Sequence, residues 1–322
     1  MKKIIALVLS VLLLVPFVSF AADKTYTVGI AQYAVHGSLD NCREGFIEGM
    51  AQEGFVEGQN VVYEVQNAQA DTSLAAQIAS NFVANKVDLI CAIATPMAVI
   101  SFNAADGALP VVYSAVSDPV EAELSNAEKM GLGPVTGTSD TLPVAKQLSS
   151  IRAMMPEAKT IGILYTVGEV NSQVQLKTYQ DLAPAQGFAI EAVAITTGSD
   201  IALAVPGLLS KVDCVSMLLD NTVVQYLDVV LDAADEKKIP VFGSEIEQVA
   251  KGCAASEGID YLALGRSTGV IAARVLKGED AASIPYEVFE ESKLYINIEK
   301  LEYLGIMMPE ALAKDAIGVV TD

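Results

Sequence analysis

Lys86-Val-Asp-Leu-Ile-Cys-Ala-Ile-Ala-Thr-Pro96 is the stretch that decides the fold. From Leu89 to Ala94 it is apolar at every position, with none of the alternation of a half-buried strand. A run of that length, leading into a polar helix start at Thr95, reads as a parallel strand buried on both faces. The pattern returns as Lys211-Val-Asp-Cys-Val-Ser-Met-Leu-Leu-Asp-Asn221. Other echoes keep the same order and nearly the same spacing. Thr27-Val-Gly-Ile30 returns as Thr160-Ile-Gly-Ile163, and Leu109-Pro-Val-Val112 as Ile239-Pro-Val-Phe242. Ser139-Asp140 and Ile259-Asp260 each stand before an apolar helical stretch. The chain reads as two copies of one α/β unit, and function is expected in the cleft between them.

At 322 residues the chain is long enough for two domains of ordinary size. Met1–Ala22 has the form of a secretory leader: Lys2 and Lys3, an apolar core from Ile4 to Val15, and a small-x-small site at Ser19-Phe20-Ala21. Cleavage is expected near Ala21/Ala22. The apolar run is short for a membrane anchor and Pro16 interrupts it. No Cys sits at the cleavage point, which disfavours a lipid anchor. The formal charge is −20, and losing Lys2 and Lys3 makes the mature chain more acidic still. Such a surface repels nucleic acid and anionic lipid, so neither is expected as a partner. The four cysteines, Cys42, Cys91, Cys214 and Cys253, form no CxxC or Cys/His cluster, so no metal and no cofactor are expected. Cys91 and Cys214 lie mid-strand, where Cys behaves as a small hydrophobe. Cys214 and Cys253 share a half and are free to pair in an oxidising compartment.

Strands alternating with helices predict an open, mostly parallel sheet in each lobe. A helix is predicted over Leu39–Gly54, another from Asp71 or Thr72 to Asn85, and one from Asn221 to Lys237. The last strand of the second copy is predicted at Cys253–Ser256 and a terminal helix at Met308–Ala313. Lobe one is expected to comprise 25–138 with 259–285, and lobe two 139–258 with 286–322. The chain then changes lobes near Thr136–Asp140, Gly258–Asp260 and Pro285–Phe289, a three-strand hinge. In open α/β sheets ligands bind beyond the carboxyl ends of the strands. Lobe one offers Gln32, Tyr33 and His36, then Thr95-Pro96, then Ser117-Asp118. Lobe two offers Glu169 with Asn171 and Ser172, then Asp220-Asn221, then Ser244-Glu245. The first crossing adds Ser139 and Asp140.

These ends are chemically uneven. Each lobe-two end carries an acid, and no Lys or Arg stands at any of them. A ligand cation has candidate partners there, whereas an anion would rest on hydroxyls and on helix N-termini such as Thr95. That suits a zwitterionic amino acid. The plainer alternative makes Asp220 and Glu245 ordinary helix caps. Of the three acids Asp220 is the expected ammonium partner, because Asn221 is able to cap the helix in its stead, and Glu169 and Glu245 are held in reserve. The lone His36 is open to a structural reading, and Tyr33 and Tyr113 to a stacking one.

At these residues the sequence resembles a family: the substrate-binding proteins of ABC importers in the tryptophan/aromatic-amino-acid group, on a type I periplasmic-binding fold. The resemblance is carried by Gly29-Ile-Ala-Gln32 with His36 and Leu39-Asp40, Ala94-Thr-Pro96, Val116-Ser-Asp-Pro119, Thr136-Gly-Thr-Ser-Asp140, Glu169-Val-Asn-Ser172 and Asp220-Asn221, in that order. It covers the chain from about Thr25 to the C-terminus. It departs after His36, where Gly37-Ser38 replaces a proline-containing stretch. The resemblance implies a monomeric, periplasmic, non-enzymatic protein that closes on an aromatic amino acid and hands it to a permease in the inner membrane. Two other readings are weighed against it. Two-lobed amino-acid racemases use one Cys from each half, and Cys91 and Cys214 are related by the repeat. Residues Ala92–Ala94 and Val215–Leu219 hold both thiols back from their strand ends, so both are expected to be buried. A sensor module binding another small polar ligand is the third reading.

Overall fold

The computed structural model of the protein describes residues 24–321. The expected leader, Met1–Ala22, lies outside those residues. The first run is β1 (Tyr26–Gln32), α1 (Gly37–Gln52), β2 (Val61–Asn67), α2 (Thr72–Asn85), β3 (Leu89–Ile93), α3 (Thr95–Ala105), β4 (Val111–Ser114) and β5 (Val135–Asp140). The second is α4 (Val144–Met154), β6 (Thr160–Thr166), α5 (Val170–Leu182), β7 (Ala189–Ile195), α6 (Ile201–Leu209), β8 (Cys214–Ser216), α7 (Asn221–Gln225), α8 (Leu227–Glu236), β9 (Val241–Gly243), α9 (Ile246–Lys251) and β10 (Ala255–Gly258). The chain closes with α10 (Tyr261–Leu276), β11 (Glu287–Phe289), β12 (Lys293–Ile296), α11 (Ile298–Leu304), α12 (Glu310–Ala313) and β13 (Ile317–Gly318).

The two sheets repeat one topology. The first runs β2-β1-β3-β4-β5-β11, the second β7-β6-β8-β9-β10-β12-β13. Every pairing is parallel except β10 with β12. Burial follows position. β3, flanked by strands on both sides, is buried at all five residues, while the edge strands β2 and β7 are buried at one residue each. That is why Leu-Ile-Cys-Ala-Ile shows no alternation. In each sheet the strand order reverses beside the first strand of the copy, between β1 and β3 and between β6 and β8. A crevice opens at such a switch point.

Close helix packing fixes α10 against the first sheet. Gly45 and Gly49 of α1 face Gly265 and Gly269 of α10. A Cβ on Gly45 would come within 2.2 Å of the Leu262 carbonyl oxygen, and one on Gly265 within 2.3 Å of that of Cys42. β11 pairs with β5 at the edge of the first sheet, although residues from 286 onward are expected with the second. Three local expectations shift. The helix expected from Asn221 to Lys237 breaks at Tyr226 (φ −109°, ψ 25°), whose ring lies against the backbone of Gly198. The last strand of the repeat is β10, two residues later than expected. The terminal helix begins after Pro309, which caps it, rather than at Met308.

Candidate functional site

The sites of chemistry lie where the two sets of strand ends meet. On lobe one, the backbone itself is unusual. Ala94, just past β3, has φ +83° and ψ 154°, and Ala115, just past β4, has φ +56°. Those regions are normally left to glycine and cost roughly 1–3 kcal/mol per residue, a strain that gathers at functional sites. The Ala94 geometry aims the α3 N-terminus at the seam, with Pro96 in its first turn and the Thr95 hydroxyl accepting from the Ser117 backbone N–H at 3.3 Å.

Two of the expected lobe-one residues serve the fold. The Gln32 amide donates to the Ala34 carbonyl and to Asp40, and its Oε1 accepts from Arg43 at 2.7 Å. The Tyr33 hydroxyl leans on the Ala70 carbonyl and Thr72, each at 3.4 Å. Burial, above all, raises its pKa, and Glu169 and Asp220 across the seam add to this. Asp118 caps its own turn, accepting from the Val120 and Glu121 backbone N–H groups. It faces a cavity of about 340 Å³ that lies between the two lobes beside the hinge. That cavity is also lined by Ser117, Ser139, Lys129, Gln175 and Tyr286.

Lobe two holds a dense knot. Asp220 accepts four hydrogen bonds: Thr166 N–H (2.6 Å) and Ser172 Oγ (2.7 Å) on Oδ2, Thr166 Oγ1 (2.8 Å) and Val223 N–H (2.9 Å) on Oδ1. Asp220 itself therefore caps α7. Asn221, expected to cap in its stead, donates both its backbone N–H and its side-chain amide to Glu169. Glu169 also accepts from Asn171 and from the backbone and hydroxyl of Thr222. Burial pushes the Asp220 carboxyl up, and the nearby Glu169 adds to the push. Asn171 donates to Glu169 and to the Leu219 carbonyl, and its buried Oδ1 has no partner among the described residues.

The third corner crosses the gap. His36 is 7 % exposed and stands beside Asn221 and Glu245, with Nδ1 3.8 Å from Glu245 Oε2. Neither ring nitrogen has a hydrogen-bond partner among the described residues. Burial holds the imidazole neutral, with its pKa lowered to about 4. Burial, then the adjacent Glu247, pushes Glu245 up to about 8. Glu247 itself reaches lobe one, accepting from Ser38 Oγ at 2.7 Å and Asn41 Nδ2 at 2.6 Å. Gln225 makes a second bridge, accepting from the Val35 backbone N–H at 3.0 Å. At the hinge, Asp140 accepts from Ser117 (3.2 Å) and Tyr261 (2.9 Å), and burial raises it to about 7. The Ser139 hydroxyl donates to the Ser117 carbonyl at 3.4 Å. Among the described residues no Lys or Arg pairs with Asp140, Glu169, Asp220 or Glu245.

Sequence reasoning missed Tyr261, Glu247 and Gln225. Tyr261 carried a usable signal, since it opens a helix immediately after the second crossing. Glu247 and Gln225 lie inside helices, where nothing local marks them. All four cysteines are buried and free. The permitted Cys214–Cys253 pair is not formed. Cys91 and Cys214 are fully buried, as expected, and burial raises both thiols well above their ordinary range.

The seam, the repeat and the three crossings define a two-lobed binding protein of the periplasmic type. Residues 27–320 match the family described as ABC transporter substrate binding protein, and the chain belongs to it. It is 38 % identical to a tyrosine-binding protein of Clostridioides difficile (strain R20291) over 286 residues, which is 88 % of this chain and 82 % of that one. A Streptococcus pneumoniae ABC domain solved in complex with L-Trp matches with a TM-score of 0.89 at 35 % identity, covering 92 % of this chain and 100 % of that one. A ligand-free, open substrate-binding protein with adhesive properties from Clostridium difficile matches with a TM-score of 0.68 at 36 % identity, with the same coverage of both chains.

Proposed function

We propose that this protein is exported, closes on an aromatic amino acid between its lobes, and presents it to an inner-membrane ABC permease. The observation that carries the reading is the seam itself: buried polar atoms on both lobes, at His36 and Asn171, left without partners where strand ends converge. Orphaned buried polar groups are uncommon in native proteins and are explained when a ligand supplies the missing bonds. The relatives that bind tyrosine and L-Trp support the ligand class. The better match to the L-Trp complex than to the open, ligand-free protein, at nearly equal identity, supports a closed arrangement here. In that arrangement the Thr95 hydroxyl, which accepts from Ser117 and keeps its own hydrogen, donates to the ligand carboxylate, assisted by the N-terminus of α3.

Lobes of 25–138 with 259–285 and of 139–258 with 286–322, with β11 of the last stretch extending the first sheet, opening about the three crossings, fit this cycle. The buried, unactivated Cys91 and Cys214 give the racemase reading no support. Native mass spectrometry of the purified protein, followed by calorimetry with L-tyrosine, L-tryptophan and L-phenylalanine, tests the reading. Bound aromatic amino acid with compaction by small-angle scattering is the expected result. Failure of all three to bind would overturn the ligand class.

A further inference from the structure

Four buried carboxylates face the seam, and the hydrogen bonds around them are unequal. A carboxylate offers about four lone-pair positions. Asp220 has four donors and Glu169 five, so neither has a position left for an ammonium. Asp140 has a donor on each oxygen. Glu245 has Gln248 Nε2 on Oε2 at 2.7 Å, and among the described residues Oε1 receives no hydrogen bond. Beside it stands His36, buried and neutral, with the Asn221 side chain near the ring but no hydrogen bond formed at either nitrogen among the described residues.

The groups facing Glu245 are Glu247 and Lys251 on α9, Asp140 on β5, Tyr261 on α10, Cys42 on α1, Cys253 before β10, and His36. The one permanent cation among them, Lys251, is turned outward toward Asp228. A buried acid in that setting lacks a cation, and a neutral imidazole next to it lacks a donor. An ammonium group supplies both.

Resting on the amino-acid reading above, we propose that Glu245 is the anionic partner of the ligand's ammonium group. His36 accepts a second ammonium hydrogen and fixes the group between the lobes. The role expected of Asp220 from sequence passes to Glu245 on this donor count. The proton balance is defined. A Glu245 carboxyl that is protonated in the empty protein ionises when the ammonium arrives and releases its proton to solvent, so affinity rises with pH from 6 to 8. Over that range the amino acid keeps its own ammonium charge.

Calorimetry on wild type and Glu245→Gln with L-tyrosine and with its des-amino analogue, 3-(4-hydroxyphenyl)propanoate, tests the assignment. Wild type is expected to prefer the amino form. Glu245→Gln is expected to lose at least a hundredfold for L-tyrosine, about 2.7 kcal/mol, and little for the analogue. Glu245→Asp, which restores the charge, is expected to recover part of the preference. A Glu245→Gln protein that keeps the wild-type preference overturns the assignment. If that variant does not fold, proton release by wild type, read in two buffers of different ionisation enthalpy, decides instead, and no release overturns it. A wild type that binds neither L-tyrosine nor L-tryptophan fails the ligand reading, which is a different outcome.

Discussion

The Asp220–Glu169 knot and the Glu245–His36 corner lie in one seam, are both buried, and each hold a glutamate at a strand end. They differ in how many donors they receive. The knot's carboxylates take nine hydrogen bonds between them, from four backbone N–H groups and five side-chain donors. Glu245 takes one. Donors of that number tie β6, α5 and α7 into a unit that does not depend on ligand. A carboxylate left short of them has bonding capacity to offer something that arrives later. The number of donors, rather than the presence of an acid at a strand end, separates structure from candidate function here.

The largest expected effect tests the knot. Asp220→Asn places an amide N–H₂ among Thr166, Ser172 and Val223, which already donate. Mispairing inside a buried hydrogen-bonded network typically costs about 3–5 kcal/mol. Urea unfolding of the ligand-free protein at pH 7 is expected to show that loss for Asp220→Asn and less than about 1 kcal/mol for Glu245→Gln, which keeps its Gln248 contact. Ligand binding by calorimetry is expected to rank the two the other way. Equal losses in both measurements would dissolve the distinction between the two regions.

Next in size is pH. For a carboxyl whose folded pKa is raised, the native state binds the extra proton, so stability falls as pH climbs from the unfolded value toward the folded one. Glu245, raised to about 8, and Asp140, raised to about 7, both act in that direction. His36, lowered to about 4, acts oppositely between that value and its ordinary 6.5, where the unfolded state binds the proton. The opposing slopes partly cancel below pH 6.5. Between pH 6.5 and 8 the acids act alone and ligand-free stability is expected to fall, by at most about 1.4 kcal/mol per pH unit for each group. Glu245→Gln is expected to flatten that limb. Urea midpoints at pH 6.5 and 8 for both proteins measure it, and an unchanged slope in the variant would show that Glu245 does not titrate there.

Why the sequence carried so much of the fold and so little of this contrast follows from distance along the chain. β3 and β8 are legible because burial on both faces is written in consecutive residues. The caps at Asp71 and Asp260 are legible because each carboxylate accepts from a backbone N–H three residues on. The strand ends were legible as positions, and all three acids were found there. Their donors were not. Thr166 meets Asp220 across 54 residues, and Ser38 meets Glu247 across 209. The ring of Tyr226, where the helix breaks, likewise meets Gly198, a partner from another element. Pairings of that range are decided by how the two copies face each other, which no local pattern records.

The smallest effect concerns Glu247, the corner's other acid. Unlike Glu245, it has a donor on each oxygen, and both come from the opposite lobe: Ser38 Oγ at 2.7 Å and Asn41 Nδ2 at 2.6 Å. In the proposed cycle these bonds break when the lobes part, so their energy belongs to the closed state alone. Glu247→Gln keeps one acceptor oxygen for Asn41 and turns the other position into a donor to the Ser38 hydroxyl, which accepts in its turn, so the loss is the charge on both bonds. Hydrogen bonds to charged groups contribute roughly 1.5–3 kcal/mol when buried, and less where the pair reaches solvent, as this one partly does. A loss near 1 kcal/mol shifts the closed–open balance about fivefold and lowers ligand affinity by the same factor, because only the closed state holds ligand. The preference for L-tyrosine over its des-amino analogue is expected to stay as in wild type, since Glu247 does not meet the ammonium. Scattering of the ligand-free variant is expected to match wild type, because the open form already predominates without ligand. A variant that loses the amino preference would place Glu247 in the ammonium site beside Glu245, and the corner would then act as a pair of acids rather than as one acid and one latch.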